Sequence, residues 1–286
     1  MTINISVVIP AYNRSELLFR TLSSVSRQTF QPLEVLVIDD GSSPPLLPTE
    51  NISLPRIKYF RNEKNLGVAA SRNIGIAQAL GEWIALLDSD DEWHPCKLEK
   101  QVEYLRDSPE YKAVHTAEKW MRNNNEVSPP AYLDKSSHLL WERSLKHCLI
   151  CPSSALLHRS LFQTIGLFDE ALTACEDYDF WLRLLLQEEI GLVDEKLVVK
   201  HGGHEDQLST TTWGMDRFRI LALRKILSYP QLGKDRKISL LRVLHQKCTI
   251  FAQGSEKRRK FEEAQKYRIL ADQYCTRLDQ LNPQPT

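Results

Sequence analysis

Apolar positions along the chain recur first in short β-branched runs and then at helical spacing. Ser6-Val7-Val8-Ile9 is stopped by Pro10, and Glu34-Val35-Leu36-Val37-Ile38 is stopped by Asp39-Asp40-Gly41. Between them, Leu17, Leu18, Thr21, Leu22 and Val25 fall on one helical face within residues 15–28, with Ser15 placed to cap the first turn. Strand, helix and strand in that order predict a βαβ unit, hence parallel strands joined by a right-handed crossover. A strand over 57–60, a helix over 69–80 ended by Gly81 and a strand over 83–87 running into Asp88 repeat the unit. Helices are expected near 161–166 and 178–187 and a strand over 191–199. From Met215 apolar residues return at three- and four-residue steps through Leu281, with breaks expected near Pro230 and Gly254. The pattern divides the chain into an α/β domain, 1–214, and a helical C-terminal extension, 215–286.

Charge changes this picture. The 286 residues balance 37 Lys+Arg against 37 Asp+Glu, which excludes the excess positive field that a nucleic-acid-coating protein needs. The sum hides a split: residues 215–286 hold 16 Lys+Arg and 7 Asp+Glu, a net of +9, and 1–214 a net of −9. A basic tail suits peripheral contact with anionic lipid headgroups, and equally suits an ordinary helical extension with its basic face in water. No apolar run reaches the roughly 18–20 residues of a membrane span, and no basic segment precedes the first apolar stretch, so a cytoplasmic location is expected, with the inner face of the membrane within reach of the tail. Six cysteines are too few for a disulfide framework, and Cys148-x-x-Cys151 has no second pair to complete a zinc site; both read as small buried residues.

In open α/β sheets ligands bind beyond the carboxyl ends of the strands, which directs attention to Pro10–Arg14, to Asp39–Ser42 and to Asp88-Ser89-Asp90-Asp91. Neither a Gly-x-Gly-x-x-Gly turn nor a Walker A loop follows the first strand, which removes the common dinucleotide and phosphate cradles. Asp88 and Asp90, one residue apart at a strand end, are placed to point to one side and share a divalent cation; the other reading is a solvated turn. Carboxylate oxygens favour Mg²⁺ or Mn²⁺.

Taken together, Ser6-Val-Val-Ile-Pro-Ala-Tyr-Asn-Arg14, Val35-Leu-Val-Ile-Asp-Asp-Gly-Ser-Ser43, Asn65-Leu-Gly-Val-Ala-Ala-Ser-Arg-Asn73, Leu87-Asp-Ser-Asp-Asp91, Pro152-Ser-Ser, Gly166-Leu-Phe-Asp-Glu170 and Cys175-Glu-Asp-Tyr-Asp-Phe-Trp-Leu-Arg183 resemble the ordered motifs of glycosyltransferase family 2. The resemblance covers roughly 4–210. It implies a GT-A fold, a Rossmann-like mixed, mostly parallel sheet flanked by helices. It also implies a nucleotide-sugar donor, a saccharide or lipid-linked acceptor, a divalent metal and an inverting single displacement.

Residue by residue, the resemblance implies that Pro10, Tyr12, Asn13 and Arg14 hold base and ribose. Asp40, with Asp39 beside it, receives the base N–H, and Arg72 lies near base and phosphates. Asp88-Ser89-Asp90 is the DXD motif, Asp88 nearer the ribose and Asp90 the direct metal ligand. Asp91 is free to cap the helix that starts near His94. Asp177 in Glu176-Asp177 takes the general base's place, with Glu176 as its alternative; either acid is also a candidate N-cap. His204, ahead of His201, is the candidate to complete the metal or diphosphate site from a glycine-flanked loop. Trp213 either stacks on a sugar or packs in the core. Acceptor choice is expected in the stretch 113–149. Two other functions fit a βαβ nucleotide site, a nucleotidyltransferase and a catalytically silent nucleotide-sugar binder. The first lacks its glycine-rich, lysine-bearing loop, and the second sits poorly with intact Asp88, Asp90 and Asp177.

Overall fold

The β-branched runs become strands whose every residue is buried, because helices cover both faces of the sheet they form. The computed structural model describes residues 3–281 apart from 48–51, 53, 55, 124, 136–139 and 204–211. Strands β1 (Ile5–Ala11), β2 (Glu34–Asp39), β3 (Ile57–Arg61) and β4 (Trp83–Leu86) pair in parallel, with helices α1 (Ser15–Ser26) and α2 (Val68–Gln78) as crossovers. Short β5 (Glu92–Trp93), helix α3 (Lys97–Asp107), β6 (Ala113–Arg122) and β7 (Asn125–Val127) follow. After them come α4 (Leu140–Ser144), β8 (Leu156–His158), α5 (Ser160–Thr164), α6 (Glu176–Gln187) and β9 (Gly191–Gly202). Among the described residues these strands form one sheet in the order β3-β2-β1-β4-β8-β6-β9-β5, with β7 on β6. β8 runs antiparallel to β4 and β6, while β9 is parallel to β6.

Alternation along β1 assigns the two cores. Ile5, Val7, Ile9 and Ala11 pack with Leu18, Leu22 and Val25 of α1, whereas Val8 faces Ile76 of α2 on the other side. Gly75 lets α2 come close: a Cβ there would stand 2.3 Å from Val8 Cγ1. The tail supplies α7 (Met215–Ile226), α8 (Lys234–Lys257) and α9 (Phe261–Leu281). Gly214 takes a left-handed φ of 70° just before α7, at the expected boundary. Ile220, Leu223, Leu240 and Leu244 of the tail nevertheless join the same buried cluster as Phe180 and Trp181 of α6 and Val8 of β1.

Three expectations are corrected. Ser15 is the first helical residue and makes no cap bond; Arg14 precedes it. Pro10 does not stop β1, which continues to Ala11, since a proline's missing N–H is tolerated where its partner strand needs none. Gly254 does not break the tail. Its neighbours Phe251, Ala252 and Ser255 are buried, so α8 runs on to Lys257, and the chain turns where Arg259 adopts φ 60° and Lys260 N–H reaches Ser255 O at 2.9 Å, a Schellman closure.

Candidate active site

At the carboxyl ends of β1 and β2 the two chain exits are stitched together. Asp40 N–H donates to Ala11 O at 2.9 Å. Asn13, at φ 53°, accepts Ser43 N–H on Oδ1 at 2.8 Å and donates its own N–H to Ser42 Oγ at 2.9 Å. Asp39 accepts from Ser42 N–H, Leu46 N–H and Arg61. Burial alone would raise its pKa, but these hydrogen bonds outweigh burial and hold the carboxyl below its ordinary range. Asp40 accepts from Asn62 Nδ2 (2.8 Å), Leu66 N–H (2.9 Å) and Gly67 N–H (2.9 Å), so it organises the loop that enters α2. Gly41 fits that crossing at φ 78°, where a Cβ would meet the Lys64 backbone at 2.6 Å. Both acids expected at the base are thus buried and bonded to the chain itself, while Tyr12 stands 44% exposed at the exit and Pro10 is sealed in β1.

The acidic motif is a turn beyond β4. Asp91 N–H closes it on Asp88 O at 3.1 Å, so residues three apart, rather than two, come together. Asp90 points to Arg14, with Oδ2 2.6 Å from Nη1, and its carbonyl accepts from Arg20 at 2.7 Å. Asp91 is not a helix cap. It is 2% exposed, accepts Ser153 Oγ–H at 2.6 Å and His201 N–H at 3.2 Å, and lies beside Asp88. Burial, together with the Asp90 and Asp88 charges, raises its pKa well above the usual carboxylate range against the pull of Lys200 and Ser153. Ser89 is buried within the turn.

Arg72 closes the site. It is 3% exposed on α2, donates Nη2 to Asp88 Oδ1 and Nη1 to Glu176 Oε1, each at 2.6 Å, and stacks 5.3 Å from the Phe168 ring centre. Its two anions outweigh the desolvation that would otherwise lower its pKa, which is raised. The bridge fastens the acidic turn to the start of α6. There Cys175, at φ 61°, turns the chain so that Glu176 and Asp177 open the helix. Burial, followed by the Asp177 charge, pushes Glu176 up to about 7 despite Arg72. Asp177 accepts Tyr178 N–H on Oδ1 at 2.7 Å and lies 3.4 Å through Oδ2 from Cys148 Sγ.

Asp177 also lines a cavity of about 320 Å³ together with Trp120, Lys135, Cys148, Cys151 and Lys200. Its walls come largely from β6, the segment 129–135, the loop 148–151 and β9; only β6, 129–135 and the start of that loop fall in the stretch 113–149 expected to choose the acceptor. Trp213 packs instead: its ring meets Phe251 at 5.7 Å and Lys260 Nζ at 3.3 Å. His201 Nε2 lies 2.8 Å from Glu92 Oε1, and His204 falls outside the described residues.

Among the described residues, Asp88, Asp91 and Cys151 form a group whose ligand atoms lie within 4.8 Å of one another. Burial raises the Cys151 thiol well above its ordinary value, and the other two donors are carboxylate oxygens of Asp88 and Asp91. That donor set fits a hard divalent cation such as Mn²⁺ or Mg²⁺. The sequence reading missed Asp91, Ser153 and both cysteines as members of the site; Pro152-Ser-Ser stood out as a motif, but nothing in it pointed to Asp91.

A mixed sheet whose parallel strands end in linked carboxylates and arginines, next to a helix opening on paired acids, is a GT-A architecture. The chain belongs to glycosyl transferase family 2, whose model matches residues 6–166. A glycosyltransferase of Rickettsia felis is 32% identical over 234 residues, 80% of this chain. The chain spans 38% of that relative and 32% of a second one from Rickettsia conorii. An Escherichia coli relative named UDP-Glc:alpha-D-GlcNAc-diphosphoundecaprenol beta-1,3-glucosyltransferase is 31% identical over 191 residues, 66% of this chain and 73% of its own. The fold is similar to Staphylococcus aureus TarS 1–349 solved with UDP-GlcNAc, at a TM-score of 0.66 and 17% identity over 96% of this chain and 92% of that one.

Proposed function

We propose that this chain moves one sugar from a nucleoside diphosphate donor to a hydroxyl of a saccharide or lipid-linked acceptor by a single inverting displacement. The observation that carries the reading is the Arg72 bridge, which holds the acidic turn and the paired acids of α6 as one unit with the cavity at Asp177. The donor lies along the exits of β1 and β2, with Tyr12, Asn13 and Arg14 at its nucleoside and Pro10, Asp39 and Asp40 shaping the floor. The acceptor hydroxyl enters the cavity and gives its proton to the Asp177 carboxylate as its oxygen attacks the anomeric carbon and the diphosphate departs from the opposite face. Glu176 stays paired with Arg72 and holds it in place. A divalent cation held by Asp88, Asp90 or Asp91, with His204 as a further ligand, would neutralise charge on the departing diphosphate. The names of the Escherichia coli and Staphylococcus aureus proteins support UDP sugars as the first donors to try.

The test is a thermal-shift panel of UDP, GDP, TDP and CMP sugars with Mn²⁺. One donor class should raise the melting temperature, because a ligand bound only by the folded state stabilises it. A flat panel overturns the donor reading. Asp177→Asn should keep that shift and lose turnover by a factor on the order of 10²–10⁴; turnover within a few-fold of wild type removes Asp177 as the base.

A further inference from the structure

We infer that Cys148 is a positioning residue for this transfer: its thiol grips Asp177 Oδ2 and aims the carboxylate into the acceptor cavity. The inference rests on Asp177 being the base. A carboxylate at the first turn of a helix ordinarily folds back onto the free N–H groups there, as an N-cap does, and points away from any substrate. Asp177 does so through one oxygen only. Oδ1 takes the neighbouring Tyr178 N–H at 2.7 Å, and Oδ2 faces Cys148 Sγ at 3.4 Å, from a different segment of the chain. The thiol also lies 3.6 Å from Ile150 O, but the Asp177 oxygen is the nearer acceptor.

The segment bearing Cys148 is fastened to α6 independently. Tyr178 Oη donates to Leu145 O at 2.6 Å, one residue along the helix from Asp177 and three before Cys148. Cys148 and Asp177 are therefore fixed on two tied supports, and both line the same cavity. A thiol suits the task because it is a weak, neutral donor: it directs a lone pair without drawing off the charge that a base needs, as a guanidinium would. Burial and the Asp177 charge raise the thiol's pKa well above the ordinary value, so it keeps its proton and remains a donor.

Two measurements test this. In infrared difference spectra, wild type minus Cys148→Ala isolates the Cys148 S–H stretch. Asp177→Ala should shift that band to higher frequency; a band that does not move overturns the inference without need of any substrate. In hydrolysis of UDP-glucose and UDP-N-acetylglucosamine with Mn²⁺, water serving as acceptor, Cys148→Ala should lower kcat about tenfold with donor KM and melting temperature unchanged. Cys148→Ser, which keeps a donor, should recover kcat to within about threefold of wild type. Equal losses in the two variants, or none, overturn it. Should Asp177→Asn retain turnover, the base assignment itself fails; should Asp177→Asn lose turnover while Cys148→Ala keeps it, only the role of Cys148 fails.

Discussion

Arg72, read from sequence as a ligand contact, also ties the acidic turn to the start of α6. The family resemblance put it near base and phosphates, and its position on a helix was legible from the apolar spacing over 69–80. Its partner Glu176 was not, since it lies 104 residues away along the chain and only tertiary packing brings it near. Breaking a buried ion pair leaves the other charges without compensation, so Arg72→Met should cost about 3 kcal/mol or more in chemical denaturation. A loss under about 1 kcal/mol would mean that water already solvates Asp88 and Glu176. Glu176 gives a second test. Its value is about 7 in the folded chain against 4.5 ordinarily, so the folded state holds a proton that the unfolded state has released. Its contribution to stability is full below 4.5 and is lost as pH rises through about 7. Across that window wild-type stability should fall relative to Glu176→Gln, by up to about 1.4 kcal/mol per pH unit, in denaturation curves taken from pH 4 to 8. Parallel pH profiles for the two proteins would refute the shift.

At the scale of elements, what the chain announces and what it conceals divide by burial. Strands β1, β2 and β4 and helices α1 and α2 were legible because uninterrupted apolar runs alternate with helical spacing. β6 and β8 were not. β8 is three residues long, and β6 carries His115, Thr116 and Glu118 at buried positions, so neither shows the apolar run that marks a strand. The acidic turn failed differently. Strand alternation predicts partners two residues apart, but β4 ends at Leu86 and the turn brings Asp88 to Asp91 instead. Gly75 supplies a prediction at this scale. Alanine there gains helix propensity but would drive a methyl into Val8, and overpacking against a rigid strand wins, so Gly75→Ala should destabilise by about 1–2 kcal/mol. Adding Val8→Ala should cost less than the sum of the two single changes; strict additivity would place the contact elsewhere.

Across the whole molecule the charge split becomes a question of surface. Lys257, Arg258, Arg259 and Lys260 sit exposed at the turn between α8 and α9, with Phe261 63% exposed beside them. Among the described residues no helix is long and apolar enough to cross a membrane, and a basic turn with an exposed aromatic side chain suits contact with anionic headgroups. The chain should sediment with vesicles containing phosphatidylglycerol at low salt and be released as salt rises. Replacing Lys257, Arg258 and Arg259 with Glu should abolish that sedimentation; binding that survives both treatments would rule out the basic turn as the contact.

The tail is not a detachable handle. α7 packs on α6, the helix whose first turn carries Glu176 and Asp177, and Arg236 of α8 donates to Leu186 O at its far end at 3.2 Å. An amino-acid change deep in the tail would therefore reach the site as a loosened support for the proposed base. In a genetic screen, temperature-sensitive alleles at Leu223 or Leu244 would resemble damage to Asp177, although neither residue lines the cavity there.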